Sequence, residues 1–262
     1  MNKKDKRIFL IVGILLILFW LGAILFGNIE TDVSGVGEDI PKIWPEFLGG
    51  VNIITVGMTW GVMAILIVLA VITRYNLREI PGRFQVMMEM LVGMFDQLCE
   101  DTLGKERGRK FMPFVATIFI FVLLSNWVAV IPIGWMEEPT RDLNTCVGLA
   151  IICFFVAHIA GIKYKGWKKY LREYIEPVGF LSPFLLILNV VGEIGKTVSH
   201  SFRLFGNVMG GAVLIFVLGQ LTKQLVLFNT FLNLWFGLFI GLIQAFVFAM
   251  LALSYLSVKV NE

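Results

Sequence analysis

Long apolar runs separated by short polar stretches dominate this chain and predict its elements. Spanning a membrane takes roughly 20 apolar residues wound as a helix. Runs at 8–27, 51–73, 112–133 and 146–162 each suit one crossing. Two longer tracts follow at 180–220 and 226–256. At 1.5 Å per residue the first would be about 60 Å long. It is therefore either two spans broken near GNVMGG or one steeply tilted helix. The stretch at 80–103, most of it within GRFQVMMEMLVGMFDQLCEDTLG, alternates apolar and polar residues at helical period but is too polar to span. It predicts an amphipathic helix lying on a membrane face, which could equally dock a soluble partner.

Loop charges orient these elements. The segment 28–50 carries Glu30, Asp32, Glu38, Asp39 and Glu46 against Lys42. The segment 74–111 carries Arg74, Arg78, Arg83, Lys105, Arg107, Arg109 and Lys110, and the loop KYKGWKKYLR at 163–172 is basic too. Basic loops stay on the cytoplasmic side, which puts 28–50 outside and the amphipathic helix on the cytoplasmic face. Six crossings then leave both termini cytoplasmic, a count that favours one tilted helix over 180–220. MNKKDKR followed by Ile8–Phe26 has the basic front of a signal peptide, but the apolar run is long for one and no A-x-A-like site follows. It reads as a retained membrane helix.

Composition agrees with that class. Of 262 residues, 58% are hydrophobic and only 16% charged, against about 45–50% and 25% in soluble domains. The whole reads as a single all-α polytopic membrane domain. The net charge of +3 is small, and no clustered basic face of a nucleic-acid binder is visible. Cys99, Cys146 and Cys153 lack metal spacing and imply no disulfide framework. No Walker loop, HExxH or nucleophile elbow is present, so neither an enzyme site, a metal site nor a cofactor is implied. No internal repeat of the kind found in many secondary transporters is evident.

The chemistry concentrates in 201–211, SFRLFGNVMGG. Arg203 cannot shed its charge, and a lipid-facing Arg at mid-membrane costs at least about 2.5–3.5 kcal/mol. It must face protein, water or a partner charge. On a helix at 100° per residue, Lys196 lies about 20° from Arg203, Ser199 and Asn207 about 40°, Asn189 and His200 within about 60°, and Glu193 near 80°. Such a stripe suits a water-filled or ion-conducting surface. On the last helix Gly237, Gly241, Gln244, Phe248, Leu251 and Tyr255 share a face. The glycines allow close approach to a neighbour, and Gln244 is placed to reach Arg203. Milder readings stand beside these. His158, alone in an apolar span, reads as a packed histidine rather than a ligand. His200 suits either role, Glu193 either lines an ion path or neutralises Lys196, and Lys196 either lines it or snorkels. Arg203 has no carboxylate at 199 or 207, so its counter-charge belongs elsewhere.

SHSFRLFGNVMGG followed by FGLFIGLIQAFVFAMLALSYLS resembles subunit a of the F-type ATP synthases, the stator of the membrane rotary motor. PGRFQVMMEMLVG at 81–93, SNWVAVIPIG at 125–134 and RDLNT at 141–145 extend the resemblance over roughly residues 30–262. The helix 8–27 is an addition to the commonest five-span form. The resemblance implies two long, steeply tilted final helices against a ring of c subunits, each with a buried carboxylate. It implies that Arg203 faces those carboxylates, favours their ionised form and blocks leakage between two offset half-channels. Asn207 and Gln244 match positions beside the arginine, Glu193 a carboxylate towards the cytoplasmic half-channel, and Tyr255 a polar position near that exit. Lys196 falls where the family often has Lys-Pro, with Thr197 in place of the proline. The implied partners are the c ring, peripheral-stalk b subunits, membrane lipid and, indirectly, the soluble catalytic head, in a bacterial inner membrane. Departures bear on the ion. Many proton-driven members have glutamate where this chain has Ala212, histidine where it has Gly237, and aspartate where it has Ala129 or Gly134. A sodium path needs oxygen ligands rather than proton carriers, so these losses tilt the reading towards sodium, with a water-borne proton path as the alternative. The rival functions are a stand-alone secondary transporter, expected to carry solute by itself, and a structural scaffold, expected to tolerate Arg203→Ala.

Overall fold

The structure, a computed structural model, describes residues 53–75, 77, 79–130, 138–175, 182–221 and 231–261. The expected helix 8–27, the acidic segment 28–50 and Gly134 lie outside the described residues. Every described element is helical: α1 (Ile53–Tyr75), α2 (Arg83–Leu103), α3 (Lys105–Trp127), α4 (Leu143–Lys165), α5 (Trp167–Ile175), α6 (Ser182–Leu221) and α7 (Gly241–Asn261). Short 3-10 turns at Val128–Val130 and Pro139–Arg141 lie between α3 and α4, and a π-helical segment Trp235–Ile240 leads into α7. Four stretches are long and apolar enough to cross a membrane: Thr55–Tyr75, Lys105–Trp127, Leu143–Lys165 and Phe231–Val260.

Two glycines make the sharp junctions. Gly104 (φ +80) joins α2 to α3 and Gly166 (φ +83) joins α4 to α5, a backbone region that side chains with a Cβ rarely adopt. Each closes the preceding helix, its N–H donating to Glu100 O and Ile162 O respectively, both at 2.9 Å. The basic stretch 163–172, expected as a loop, is therefore helical on both sides of Gly166. Its Tyr170 is buried, packed against Gly161 of α4. At the other end of α4, Asp142 caps the helix by accepting from the Asn144 N–H at 2.9 Å, which satisfies one of its free first-turn donors.

The bundle is organised around α7. That helix packs on α3 and α4, α3 packs on α2, and α4 packs on α6. The core joins Phe95 and Cys99 of α2, Val115, Phe119 and Val122 of α3, Cys153 of α4, Leu204 of α6, and Ala245, Phe248, Ala249 and Leu253 of α7. Small residues on α7 and α4 let the backbones close in. Likewise a Cβ on Gly108 would lie 2.7 Å from the Cys99 backbone, so α2 and α3 pack in direct backbone contact near their junction.

One end of this bundle is basic. Arg107 of α3 donates to Val260 O of α7 at 3.0 Å and lies over the Tyr164 ring of α4. The start of α3 and the ends of α4 and α7 thus share an end, together with Lys105, Arg109, Lys110, Lys163 and Lys165. The opposite end is knit by uncharged groups. Asn126 donates to Gly241 O at 3.0 Å and accepts from the Thr140 hydroxyl at 2.8 Å.

Candidate functional site

The tract 180–220 forms one unbroken helix, α6, of 40 residues rather than two spans broken near GNVMGG. Arg203, near its middle, is exposed, as are Ser199, Phe202 and Gly206 around it. No ion pair to Arg203 occurs among the described residues. Beyond it the same side of α6 is a shallow apolar hollow formed by Phe205, Gly206, Met209, Gly210 and Val213. Asn189 is exposed further back on α6.

The rest of the polar stripe divides between the outer surface and the bundle interior. His200 is buried. Its Nε2 lies 3.2 Å from Phe248 O, and its ring meets the Phe248 and Tyr255 rings of α7. Glu193 also turns inward. Its Oε1 accepts from Lys259 Nζ at 2.9 Å and from Lys196 Nζ at 3.0 Å, and its Oε2 lies 3.9 Å from His158 Nε2. Lys196 itself is 49% exposed, so it reaches in from the rim. These groups, with Thr197, Ser254 and Tyr255, line a cavity of about 150 Å³ between α4, α6 and α7, towards the basic end. That is room for several waters.

A second cavity, of about 50 Å³, lies towards the opposite end. Asn126, Glu138, Asn207, Asn233 and Gln244 bring polar groups to its wall, along with Ala212, Gly237 and Gly241. Asn207 Nδ2 donates to Gln244 Oε1. Gln244 was expected to reach Arg203. Instead it is 4% exposed, faces into the bundle and pairs with Asn207 one turn further along α6. Its Nε2 meets no acceptor among the described residues. The glycines of α7 do allow close approach, to the α3 end: a Cβ on Gly237 would lie 2.5 Å from Val130 Cγ2, and one on Gly241 3.0 Å from Asn126 Cβ.

Among the described residues the two cavities share no lining residue, and Arg203 lines neither. Along α6 the first extends to His200 and the second begins at Asn207, a separation of about 10 Å along the axis. Leu204, Ala245 and Phe248, all buried, fill the bundle between them. An exposed fixed cation therefore stands at the level of an apolar partition between two polar pockets, each nearer a different end.

Several members of this arrangement escaped sequence reasoning. Lys259 sits in the last turn of an apolar helix, where a lysine normally signals only a helix end. His158 lines the first cavity instead of being merely packed. Asn126 and Glu138 lie in stretches where period and composition mark nothing special. An uncharged amide in an otherwise apolar helix was the available signal for Asn126.

Comparison with known proteins places this arrangement. The family model described as ATP synthase A chain matches residues 56–257. The ATP synthase subunit a of Geotalea daltonii is 33% identical over 207 residues, covering 79% of this chain and 87% of that protein. That of Trichlorobacter lovleyi is 36% identical over 204 residues, with 78% and 86% covered. That of Desulfosudis oleivorans is 36% identical over 200 residues, with 75% and 83% covered. Arg203, Asn207, Gln244 and the smaller cavity fall within the matched residues, as does the lining of the larger one except Val258 and Lys259. This all-helical, multi-pass membrane chain belongs to the ATP synthase A chain family, that of subunit a of the F-type ATP synthases.

Proposed function

We propose that the chain carries the coupling ion through two offset half-channels, to and from the carboxylates of a c-subunit ring, and so converts ion flow into rotation and ATP synthesis. The observation that carries this reading is the pair of separate polar cavities on either side of Arg203. A continuous pore would short-circuit the ion gradient. Two separate pockets with a fixed cation between them would instead make the ion transfer to something mobile.

Arg203 fits the role by charge and exposure together. A guanidinium stays protonated under all physiological conditions, so it favours an ionised carboxylate arriving beside it and repels a cation trying to cross directly. The adjoining hollow on α6, with Gly206 and Gly210 on its floor, lets another helix approach closely. The cavity with Glu193, His158, His200, Lys196, Ser254 and Tyr255 serves the cytoplasmic side, because it opens towards the basic end. The cavity with Asn126, Asn207 and Gln244 serves the outer side. Ser199 lies beside Arg203 on the rotor-facing surface. The chain itself performs no catalysis. It sits with both termini in the cytoplasm of a bacterial inner membrane, tilts its last two helices against the ring, and is held by peripheral-stalk b subunits. The absence of acid or imidazole at 212 and 237 tilts the coupling ion towards sodium.

The test is ATP-driven ion uptake by the whole complex in proteoliposomes, with and without sodium and with a protonophore. Arg203→Ala is expected to abolish uptake in every arm. Uptake by that variant at the native rate would overturn the half-channel reading. Sodium uptake that survives the protonophore identifies sodium as the ion, and collapse of uptake identifies protons.

A further inference from the structure

We infer that Lys259 is a tethered counter-cation: it occupies the Glu193 carboxylate of the larger cavity and so keeps the coupling ion from being retained there. The inference rests on the half-channel reading and gives a task within it to a residue that the reading does not use.

Glu193 is the only carboxylate among the described residues lining this cavity. An ion path needs sites favourable enough for a cation to enter and weak enough for it to leave. A bare carboxylate in a pocket with low-dielectric walls misses the second condition, because charges attract more strongly there than in water. Here the carboxylate is already taken. Its Oε1 accepts from Lys259 Nζ at 2.9 Å and from Lys196 Nζ at 3.0 Å. The two lysines are not equal. Lys196 is 49% exposed, and water and salt weaken an ion pair so placed. Lys259 is 14% exposed, so its charge is the less screened and the stronger competitor. A cation tethered to the wall competes as if at a fixed local concentration, which a free ion has to match before it can hold Glu193.

Neighbours fix Lys259 in this position. Its Nζ lies 5.9 Å from the centre of the Tyr170 ring of α5, within cation–π range. A Cβ on Gly161 would lie 3.2 Å from Lys259 O, so the end of α7 packs directly on α4. The next residue, Val260, accepts through its carbonyl from Arg107 of α3 at 3.0 Å. The charged and titratable groups around the pair are thus Lys196 and His200 on α6, His158 on α4, Tyr255 on α7 and Tyr170 on α5, with Arg107 of α3 at the end of α7.

The experiment is ATP-driven uptake by the whole complex in proteoliposomes, measured against cation concentration on the side of the catalytic head, the side that this cavity serves. The sodium and protonophore arms decide which cation is varied. Lys259→Met is expected to lower the half-saturating concentration about tenfold. It should lower the saturated rate as well, because an ion held by Glu193 moves on more slowly. Lys259→Gln keeps a donor for Glu193 without the charge and should shift the same way. Lys259→Arg should retain the native half-saturation. ATP synthesis driven by cation from the opposite side should keep its native half-saturation in all three, since that ion fills the other cavity. A merely structural role would instead reduce the rate by the same factor at every concentration. Unchanged or raised half-saturation in the neutral variants overturns the inference, as does an arginine variant that behaves like the methionine one. Failure of both neutral variants to assemble with the c ring also overturns it, because the charge would then be structural. Arg203→Ala run in parallel separates the levels. If it still pumps, the half-channel reading fails; if it is silent while the Lys259 variants keep the native half-saturation, the inference fails alone.

Discussion

Lys259 Nζ, in the last turns of α7, lies 2.9 Å from Glu193 Oε1 on α6, with both side chains about 15% exposed. This contact joins residues 66 positions apart, both of them lining the larger cavity. It also makes Glu193 part of a four-member cluster with Lys196 and His158 rather than a simple partner of the lysine one turn away.

Replacing Lys259 by Met therefore leaves Glu193 with Lys196, whose side chain is 49% exposed and contributes little as an ion pair in water. A charge pair this enclosed is destabilised markedly when one partner goes. A double-mutant cycle of Lys259→Met and Glu193→Gln is expected to give a coupling of about 1–3 kcal/mol by thermal unfolding in detergent. A coupling near zero would mean that the two charges act independently.

Arg203 makes the opposite prediction. Because it is exposed on α6, Arg203→Lys should shift stability by no more than about 0.5 kcal/mol. The same change should abolish coupled transport, since lysine deprotonates when desolvated and lacks the planar fork. Unfolding and ATP-driven uptake measured on one preparation separate these effects. Substantial pumping by the lysine variant would remove Arg203 from the centre of the mechanism.

Gly237→Ala tests the approach of α7 to the end of α3. The added Cβ meets Val130 Cγ2 at 2.5 Å, an overpacking expected to cost about 1–3 kcal/mol. Val130→Ala in the same chain should recover most of that loss. Thermal melts of the single and double variants check it; equal melting of Gly237→Ala and the native chain would contradict the contact.

Asn126→Leu removes both ends of a buried relay, leaving the Thr140 hydroxyl and Gly241 O without their partner. The expected loss is about 1–3 kcal/mol for the buried Thr140 hydroxyl left unpaired, because Gly241 O, at the start of α7, keeps its helical acceptor role. Asn126→Asp keeps an acceptor for Thr140 but loses the donor to Gly241 O, and should fall between the two. Ranking the three proteins by unfolding temperature decides the point.

On α2, burial, with Asp96 adding to it, pushes the Cys99 thiol up to about 11. Its folded value thus exceeds the unfolded one of about 9. The neutral thiol is favoured by folding, so its contribution is complete below pH 9 and is lost as pH rises from about 9 to 11. At pH 7.5 a maleimide should label Cys99 only after denaturation, read by mass spectrometry; rapid labelling of the native protein would show that the thiol is accessible.

The amino-acid sequence by itself determined what is local. Unbroken apolar runs fix a helical membrane protein because lipid leaves backbone polar groups no partner outside a helix, while the loop charges were needed as well to favour a single helix over 180–220. Arg203 stood out because a permanent charge in such a run has few physical explanations. Helical period also grouped Glu193, Lys196, Ser199, His200 and Asn207 with it. What period could not do was divide that group. The turn of about 80° from Arg203 to Glu193 on a helix reaches from its outer surface to the flank that touches a neighbour, so His200 and Glu193 turn into the bundle while Arg203 and Ser199 stay outside. Only the packing of α4, α6 and α7 decides that division. It alone brings Lys259 to Glu193, Asn207 to Gln244 and Asn126 to Gly241. These contacts depend on how each helix is rotated against another far away in the chain, and no periodicity within one helix encodes that rotation.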